Sequence, residues 1–146
     1  MDEKTIESTA RNLVDSMEKK DIEKSLSYFT EDAVYYTPVG IFKGKDVIRR
    51  YFAWMAESFS ELKFTDEGVG IIIKDNISAH QSTYSAKYDG IAINVRNICT
   101  AEFKGNKIKN HWTLTDRLSL AEQATKNPIA RKVINSIIAQ SEKGLH

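Results

Sequence analysis

Between Phe64 and Leu118 the sequence is cut by three two-residue turn signals, Asp75-Asn76, Asp89-Gly90 and Gly105-Asn106, into runs whose apolar residues recur at every second position. Loops of this length and composition join antiparallel neighbours, so the spacing predicts a meander of four long strands. Because side chains alternate between faces, each turn also fixes which residues share a side. One face carries Val69, Ile71 and Ile73, then Ser78, His80, Ser82, Tyr84 and Ala86, then Ile93, Val95, Asn97, Cys99, Ala101 and Phe103. On the last strand it continues through Ile108, Asn110, Trp112, Leu114, Asp116 and Leu118. The opposite face, with residues such as Gln81, Thr83, Arg96, Thr100, Glu102, Lys109, His111 and Thr113, is polar almost throughout. A sheet with a single buried side requires that division.

The rest of the chain supplies what covers the apolar side. Ile6, Ala10, Leu13, Val14 and Met17 fall at helical spacing over roughly Glu3 to Lys19, and Asp21 can cap a shorter helix with Ile22, Leu26 and Phe29 on one side. Residues 33–37 read as a strand stopped by Pro38. Pro38-Val39-Gly40 reads as a tight turn and Ile41-Phe42 as a short returning strand. A strong amphipathic helix from about Asp46 to Phe59 turns Val47, Ile48, Tyr51, Phe52, Met55 and Phe59 inward. Near the end, Asn127-Pro128 is a cap followed by a first-turn proline. Ile129, Val133, Ile134, Ile137 and Ile138 form an apolar stripe, and Gly144 is a stop. The fold class is α+β, with three N-terminal helices against a curved antiparallel sheet. The reading divides the chain into a main domain over 1–123 and a helical extension over 124–146.

A chain of 146 residues with 41% hydrophobic and 28% charged residues fits one soluble domain. Its net charge of +1 and the absence of a long single-sign block argue against nucleic acid or a membrane surface as partner. The start MDEKTIESTARN has no apolar secretory run and no segment is long and apolar enough to span a bilayer, so a cytoplasmic location is expected. The single Cys99 and the spacing of His80, His111 and His146 supply no metal-ligand set; neither a metal nor a cofactor is expected.

Polar residues on the inward face are the candidates for chemistry. Asp116 ends a mostly apolar row, and a carboxylate there needs a partner or a task. In the register set by the turns it lies across from Val95, which lies across from Tyr84. The phenol is then roughly 10 Å away between backbones. His80, Asn97, Trp112 and Cys99 share the same face and are expected to contact a ligand, together with Tyr35, Thr37 and Phe52. His111 is expected outside.

These features resemble the SnoaL-like branch of the nuclear-transport-factor-2-like superfamily over about residues 5–123. The matching motifs are Phe29-Thr-Glu-Asp-Ala33, Pro38-Val-Gly-Ile-Phe-Lys-Gly44, Asp46-Val-Ile-Arg-Arg-Tyr-Phe52 and Trp112-Thr-Leu-Thr-Asp116-Arg-Leu118. The resemblance implies a cone-shaped sheet wrapped around the N-terminal helices, a small apolar ligand inside it and a homodimer through the outer sheet face. The ketosteroid isomerases of that superfamily have their general-base Asp where this chain has Thr37. Their tyrosine falls near Leu13 and their hydrogen-bonding Asp at Cys99. The Arg-x-Asp pair of limonene-epoxide-hydrolase-like members does not occur. Asp116 does match the acid/base Asp of SnoaL-like polyketide cyclases, whose partner histidine has no match here, since His80 lies on an earlier strand. Two functional readings follow. One is an isomerase-, cyclase- or hydrolase-type enzyme that uses Asp116, with Tyr84, on a carbonyl compound. The other is a non-catalytic ligand-binding or dimerisation module.

Overall fold

The computed structural model describes residues 2–145. Helix α1 (Glu3–Glu18) is capped by Asp2, and α2 (Ile22–Ser27) by Asp21, whose carboxylate accepts from the Lys24 amide. Strands β1 (Phe29–Thr37) and β2 (Gly40–Lys43) form a hairpin, followed by α3 (Lys45–Ser58). The meander is β3 (Phe59–Lys74), β4 (Ile77–Tyr88), β5 (Ile91–Lys104) and β6 (Lys107–Thr115), joined by the three expected turns. Two helices finish the chain, α4 (Arg117–Ala124) and α5 (Pro128–Ser141).

All six strands belong to one curved, open sheet in the order β2-β1-β6-β5-β4-β3. Only β1 and β6 pair in parallel; every other neighbour is antiparallel. The helices α1 to α3 fill the concave side. Ile6, Leu26, Phe29 and Ile48 are wholly buried there against Ile108, Ala101 and Phe103. Helix α5 has no buried residue, and Ile129, Val133 and Ile137 of its apolar stripe stand exposed. No helix of the described residues is long and apolar enough to cross a membrane.

The face predicted for β4 and β5 is the face observed, because His80 does pair with Cys99 and Tyr84 with Val95. That predicted for β6 is inverted. Lys104 pairs with Lys107 and Phe103 with Ile108, as a two-residue turn dictates, but Glu102 then pairs with Asn110. Lys109 is one extra residue, a β-bulge, and an odd insertion exchanges the two faces of everything after it. The bulge lies where β1 also breaks register between Phe29 and Val34. Lys109 reaches across this break to the Asp32 carboxylate.

The consequences for the predicted residues are direct. His111 is buried at 6% exposure, with Thr113 and Thr115 on its side of the strand. Trp112 and Leu114, at 37% and 72% exposure, lie on the convex side. Asp116 lies beyond the end of the strand, not at the end of an inward row. Its carboxylate accepts from the Ser119 amide as the N-cap of α4, 2.9 Å away, and it is exposed. Leu118 belongs to α4. Val69 is also displaced from the inward face, to 67% exposure, because residues 67–70 of β3 stand opposite the single Gln81.

An N-cap role for Asp116 carries a measurable cost. Asp116→Ala is expected to weaken α4 locally by about 1 kcal/mol, about a fivefold faster amide exchange at Ser119. Unchanged exchange there would show that the cap contributes nothing.

Candidate functional site

The concave side is only partly filled. A cavity of about 130 Å³ remains between the sheet and helices α1 and α3, comparable to one that admits a single aromatic ring. Leu13, Val14 and Met17 of α1 and Trp54 and Met55 of α3 form an apolar wall, and Pro38, Val39, Arg117 and Leu120 stand around its mouth. Alternation along β4, β5 and β6 sends His80, Tyr84, Asn97, Cys99, His111, Thr113 and Thr115 to the opposite wall.

That wall is a connected polar row. The Tyr35 hydroxyl lies 3.1 Å from the Thr113 hydroxyl, which also contacts Cys99 Sγ at 3.4 Å and His111 Nδ1 at 3.5 Å. Asn97 donates from Nδ2 to Cys99 Sγ at 3.2 Å, and its Oδ1 accepts from the Thr115 hydroxyl at 3.2 Å. The hydroxyls of Tyr51 and Tyr84 have no partner among the described residues and open to the cavity, although both residues are more than nine-tenths buried.

Burial makes this interior electrically neutral. Taking a charge out of water penalises the ionised form, so a buried acid rises in pKa and a buried base falls. The Tyr84 phenol is pushed up to about 12 by burial alone, and those of Tyr35 and Tyr51 are raised further. The Cys99 thiol is also raised by burial, only partly offset by its bonds to Thr113 and Asn97. His111 is pushed down to about 3 for the same reason. The phenols and the thiol therefore stay protonated and His111 stays uncharged near neutral pH.

The sequence-predicted residues divide into two groups. Tyr84, His80, Asn97, Cys99 and Tyr35 come together on the cavity wall. Asp116, Trp112, Thr37 and Phe52 do not reach it. Thr37 closes the β1–β2 turn, its hydroxyl donating to the Gly40 carbonyl at 2.9 Å. Phe52 packs in the core edge-on to Phe29 and Tyr35, and Trp112 stacks on Tyr36 on the convex side. His111, Thr113, Thr115 and Tyr51 are the wall residues that sequence reasoning did not assign. The first three follow from the bulge. Tyr51 was legible as an inward position of α3, but nothing in the sequence distinguished it from a core ring. Among the described residues no cluster of His, Cys, Asp and Glu is arranged to hold a metal ion.

The family model of the SnoaL-like domain matches residues 10–111, which span both the helical wall and most of the sheet. The chain belongs to the SnoaL-like domain family. No curated protein matches it in sequence at a significant level. Among solved structures, this SnoaL-like chain is similar to TsrD from Streptomyces laurentii, with TM-score 0.74 and 14% identity over 84% of this chain and 96% of that one. It is also similar to a candidate SnoaL-like polyketide cyclase from Shewanella denitrificans, with TM-score 0.73 and 17% identity over 81% and 95%. A third, from Catenulispora acidiphila, has a ketosteroid isomerase-like fold and was solved with trimethylamine; its TM-score is 0.73, with 12% identity over 80% and 91%. At these identities the likeness establishes the cone fold of the SnoaL-like domain and leaves its reaction to be argued from the site.

The depressed His111 gives the SnoaL-like domain a pH signature. Its folded-state pKa of about 3 lies below the unfolded value of about 6.5. Between these limits the unfolded chain binds the proton and the folded chain does not, so stability falls as pH falls from about 6.5 toward 3. The slope approaches about 1.4 kcal/mol per pH unit. Urea denaturation at stepped pH is expected to show this contribution in the wild type and to lose it in His111→Phe.

Proposed function

We propose that this protein holds a neutral, largely apolar small molecule bearing an acceptor oxygen, such as a carbonyl, and acts on it by acid–base chemistry of the isomerase, cyclase or hydrolase type. The observation that carries this reading is the pair of phenols, Tyr51 and Tyr84, whose hydroxyls have no partner among the described residues, facing a cavity with an apolar helical wall. The rings are buried but the two hydroxyl oxygens are open to the cavity, where a tyrosine O–H can meet a ligand. Both stay protonated and are donors waiting for an acceptor the described residues do not supply. Donors fixed in a water-poor site stabilise negative charge developing on a carbonyl oxygen, as enolisation and ring closure both require. Family membership agrees with a small-molecule cavity.

A second reading, binding without turnover, is favoured by one observation: Asp116, the carboxylate at the position expected for the acid/base group, caps α4 outside the cavity. The two readings share the phenols and differ only in chemistry. A ketone and its hydrocarbon analogue test the shared part. In NMR titrations 1-indanone is expected to perturb cavity amides and to bind about fivefold more weakly to Tyr84→Phe, the loss of about 1 kcal/mol for one hydrogen bond. Indane is expected to bind both proteins alike. Equal affinity of the ketone for wild type and Tyr84→Phe would remove the acceptor from the proposal.

We further infer a homodimer that uses the convex face of the sheet. The bulge turns Trp112 and Leu114 out beside Tyr36 and Ile98, which makes a contiguous apolar row on a face the sequence pattern gave as polar. Such patches mark interaction surfaces, and a sheet face meets a second copy of itself readily about a two-fold axis. Light scattering at micromolar concentration is expected to give twice the chain mass for the wild type and the single mass for Leu114→Lys. A monomeric wild type would eliminate the dimer.

A further inference from the structure

One polar group on the cavity wall is built differently from the others. His80 is 8% exposed and faces the cavity, but its Nε2 is taken by the Asp66 carboxylate, 2.9 Å away. The other Asp66 oxygen accepts from Arg11 Nη1 of α1 at 3.2 Å, and Arg11 Nε donates to Glu7 one turn earlier at 3.0 Å. The carboxylate is thus pinned from two sides. Its pKa is held below the usual carboxylate range, first by the His80 ring and then by Arg11, so at neutral pH it is ionised and only accepts.

The backbone is shaped to put it there. Asp66 pairs with Ser82 and Ile71 with His80, so residues 67–70 stand opposite Gln81 alone and fold β3 back at this point. Gly68 and Gly70 take left-handed φ of +53° and +63° within this segment. A Cβ on Gly70 would lie 3.1 Å from Asp66 Oδ2, and one on Gly68 would lie 2.6 Å from Gln81 Oε1. A side chain at Gly70 would press on the Asp66 carboxylate, and one at Gly68 on the Gln81 amide beside it. The irregular segment thus leaves room for the Asp66 carboxylate where it meets His80.

An acceptor-only carboxylate at Nε2 selects the tautomer in which Nε2 carries the hydrogen, which leaves a lone pair on Nδ1. Nδ1 has no protein partner and is not sealed from solvent-sized contact. The other neighbours of the ring across the sheet, Cys99 on β5 and Ile71 on β3, bring no charge. Tyr84 lies four residues along the same strand face, about 13 Å between Cα atoms before the two long side chains shorten the gap.

We propose that His80 is the proton-transfer group of this cavity and that Asp66 is the positioning residue that turns Nδ1 to the ligand. The proposal rests on the reading of the cavity as a small-molecule site and supplies the base that Asp116 does not. With a carbonyl held by the Tyr51 and Tyr84 hydroxyls, Nδ1 takes a proton from the adjacent carbon. The C–H electron pair becomes the enolate double bond and the carbonyl π pair moves to the oxygen held by the phenols. In a β,γ-unsaturated ketone the imidazolium returns the proton at the γ-carbon and gives the conjugated isomer. Where the enolate carbon instead attacks a second carbonyl, the C–C bond closes a ring, that carbonyl's π pair moves to its oxygen, and the oxygen takes the proton back from the imidazolium.

The Kemp elimination of 5-nitrobenzisoxazole tests this without a known substrate. A base takes the C3 hydrogen, the C–H pair completes the nitrile, and the N–O bond breaks to give a coloured phenolate. The wild type is expected to show saturable turnover, with the ring 15N shifts of the same sample placing the His80 hydrogen on Nε2. His80→Gln is expected to lose at least tenfold in rate while cavity amides still shift on adding the probe. If that variant does not fold, Asp66→Asn decides: an asparagine no longer fixes the hydrogen on Nε2, so the ring 15N shifts show the tautomer change and the rate falls severalfold. An unaltered rate in His80→Gln, or an unaltered rate and tautomer in Asp66→Asn, with the probe still bound, would overturn the role of His80 and leave the cavity reading intact. No saturation and no amide shifts in the wild type would overturn the cavity reading, and this proposal with it.

Discussion

Lys109 occupies β6 without a partner of its own on β5, and strand side chains alternate with a period of two, so every residue after it changes face. The composition of the cavity follows from this one insertion. Without it, Trp112 and Leu114 would fill the space against α1 and α3, and His111, Thr113 and Thr115 would stand in water. With it, a row of hydroxyls and an imidazole replaces two large hydrophobes, and the cone keeps a hollow. The bulge is held by its surroundings: β1 breaks register opposite it, and Lys109 pairs with Asp32 from that break.

The same strand then serves two surfaces. Inside, Thr113 joins the Tyr35, Cys99 and His111 side chains; outside, Trp112 and Leu114 extend an apolar row across β1, β6 and β5. Tyr36 and Tyr35 repeat the division on β1, one ring stacking on Trp112 outside and the next bonding Thr113 within. The outer apolar row and the inner hydroxyls are thus separated by a single layer of backbone.

Much of this was legible in the sequence. Three turn dipeptides gave the meander and the register of β4 against β5, and with it the placement of His80, Tyr84, Asn97 and Cys99 on one face. Asp21 and Asn127-Pro128 marked two helix starts that the structure uses. Asp116 was misplaced because the hydrophobic pattern of β6 was self-consistent in the wrong phase: Ile108, Trp112 and Leu114 suit an inward row. The residue that breaks the phase is a lysine with no turn or glycine beside it. Apolar residues on an outer face destined for a partner look the same as core residues to a period-two reading. The Gly68 and Gly70 pair was a readable sign of irregularity within a strand, but not of which side chain the irregularity would carry to His80. The parallel pairing of β1 with β6 left no local mark, since it depends on chain regions almost eighty residues apart.

The distribution of charge around the cavity gives the site its direction. Burial keeps three phenols and a thiol protonated and one imidazole uncharged, so the hydroxyl row offers hydrogen bonds and no charge. Arg117 lines the cavity, and the carboxylate of Asp66 stands behind His80. A carboxylate placed directly among the phenols would either be neutralised by desolvation or need a buried counter-ion. Set behind an imidazole and anchored to Arg11 at the solvent edge, Asp66 keeps its charge and acts on the cavity through the ring. A histidine backed in this way accepts a proton without a full charge having to exist in the apolar interior beforehand. That is the physical advantage of His80 over Asp116 as a base for this cone.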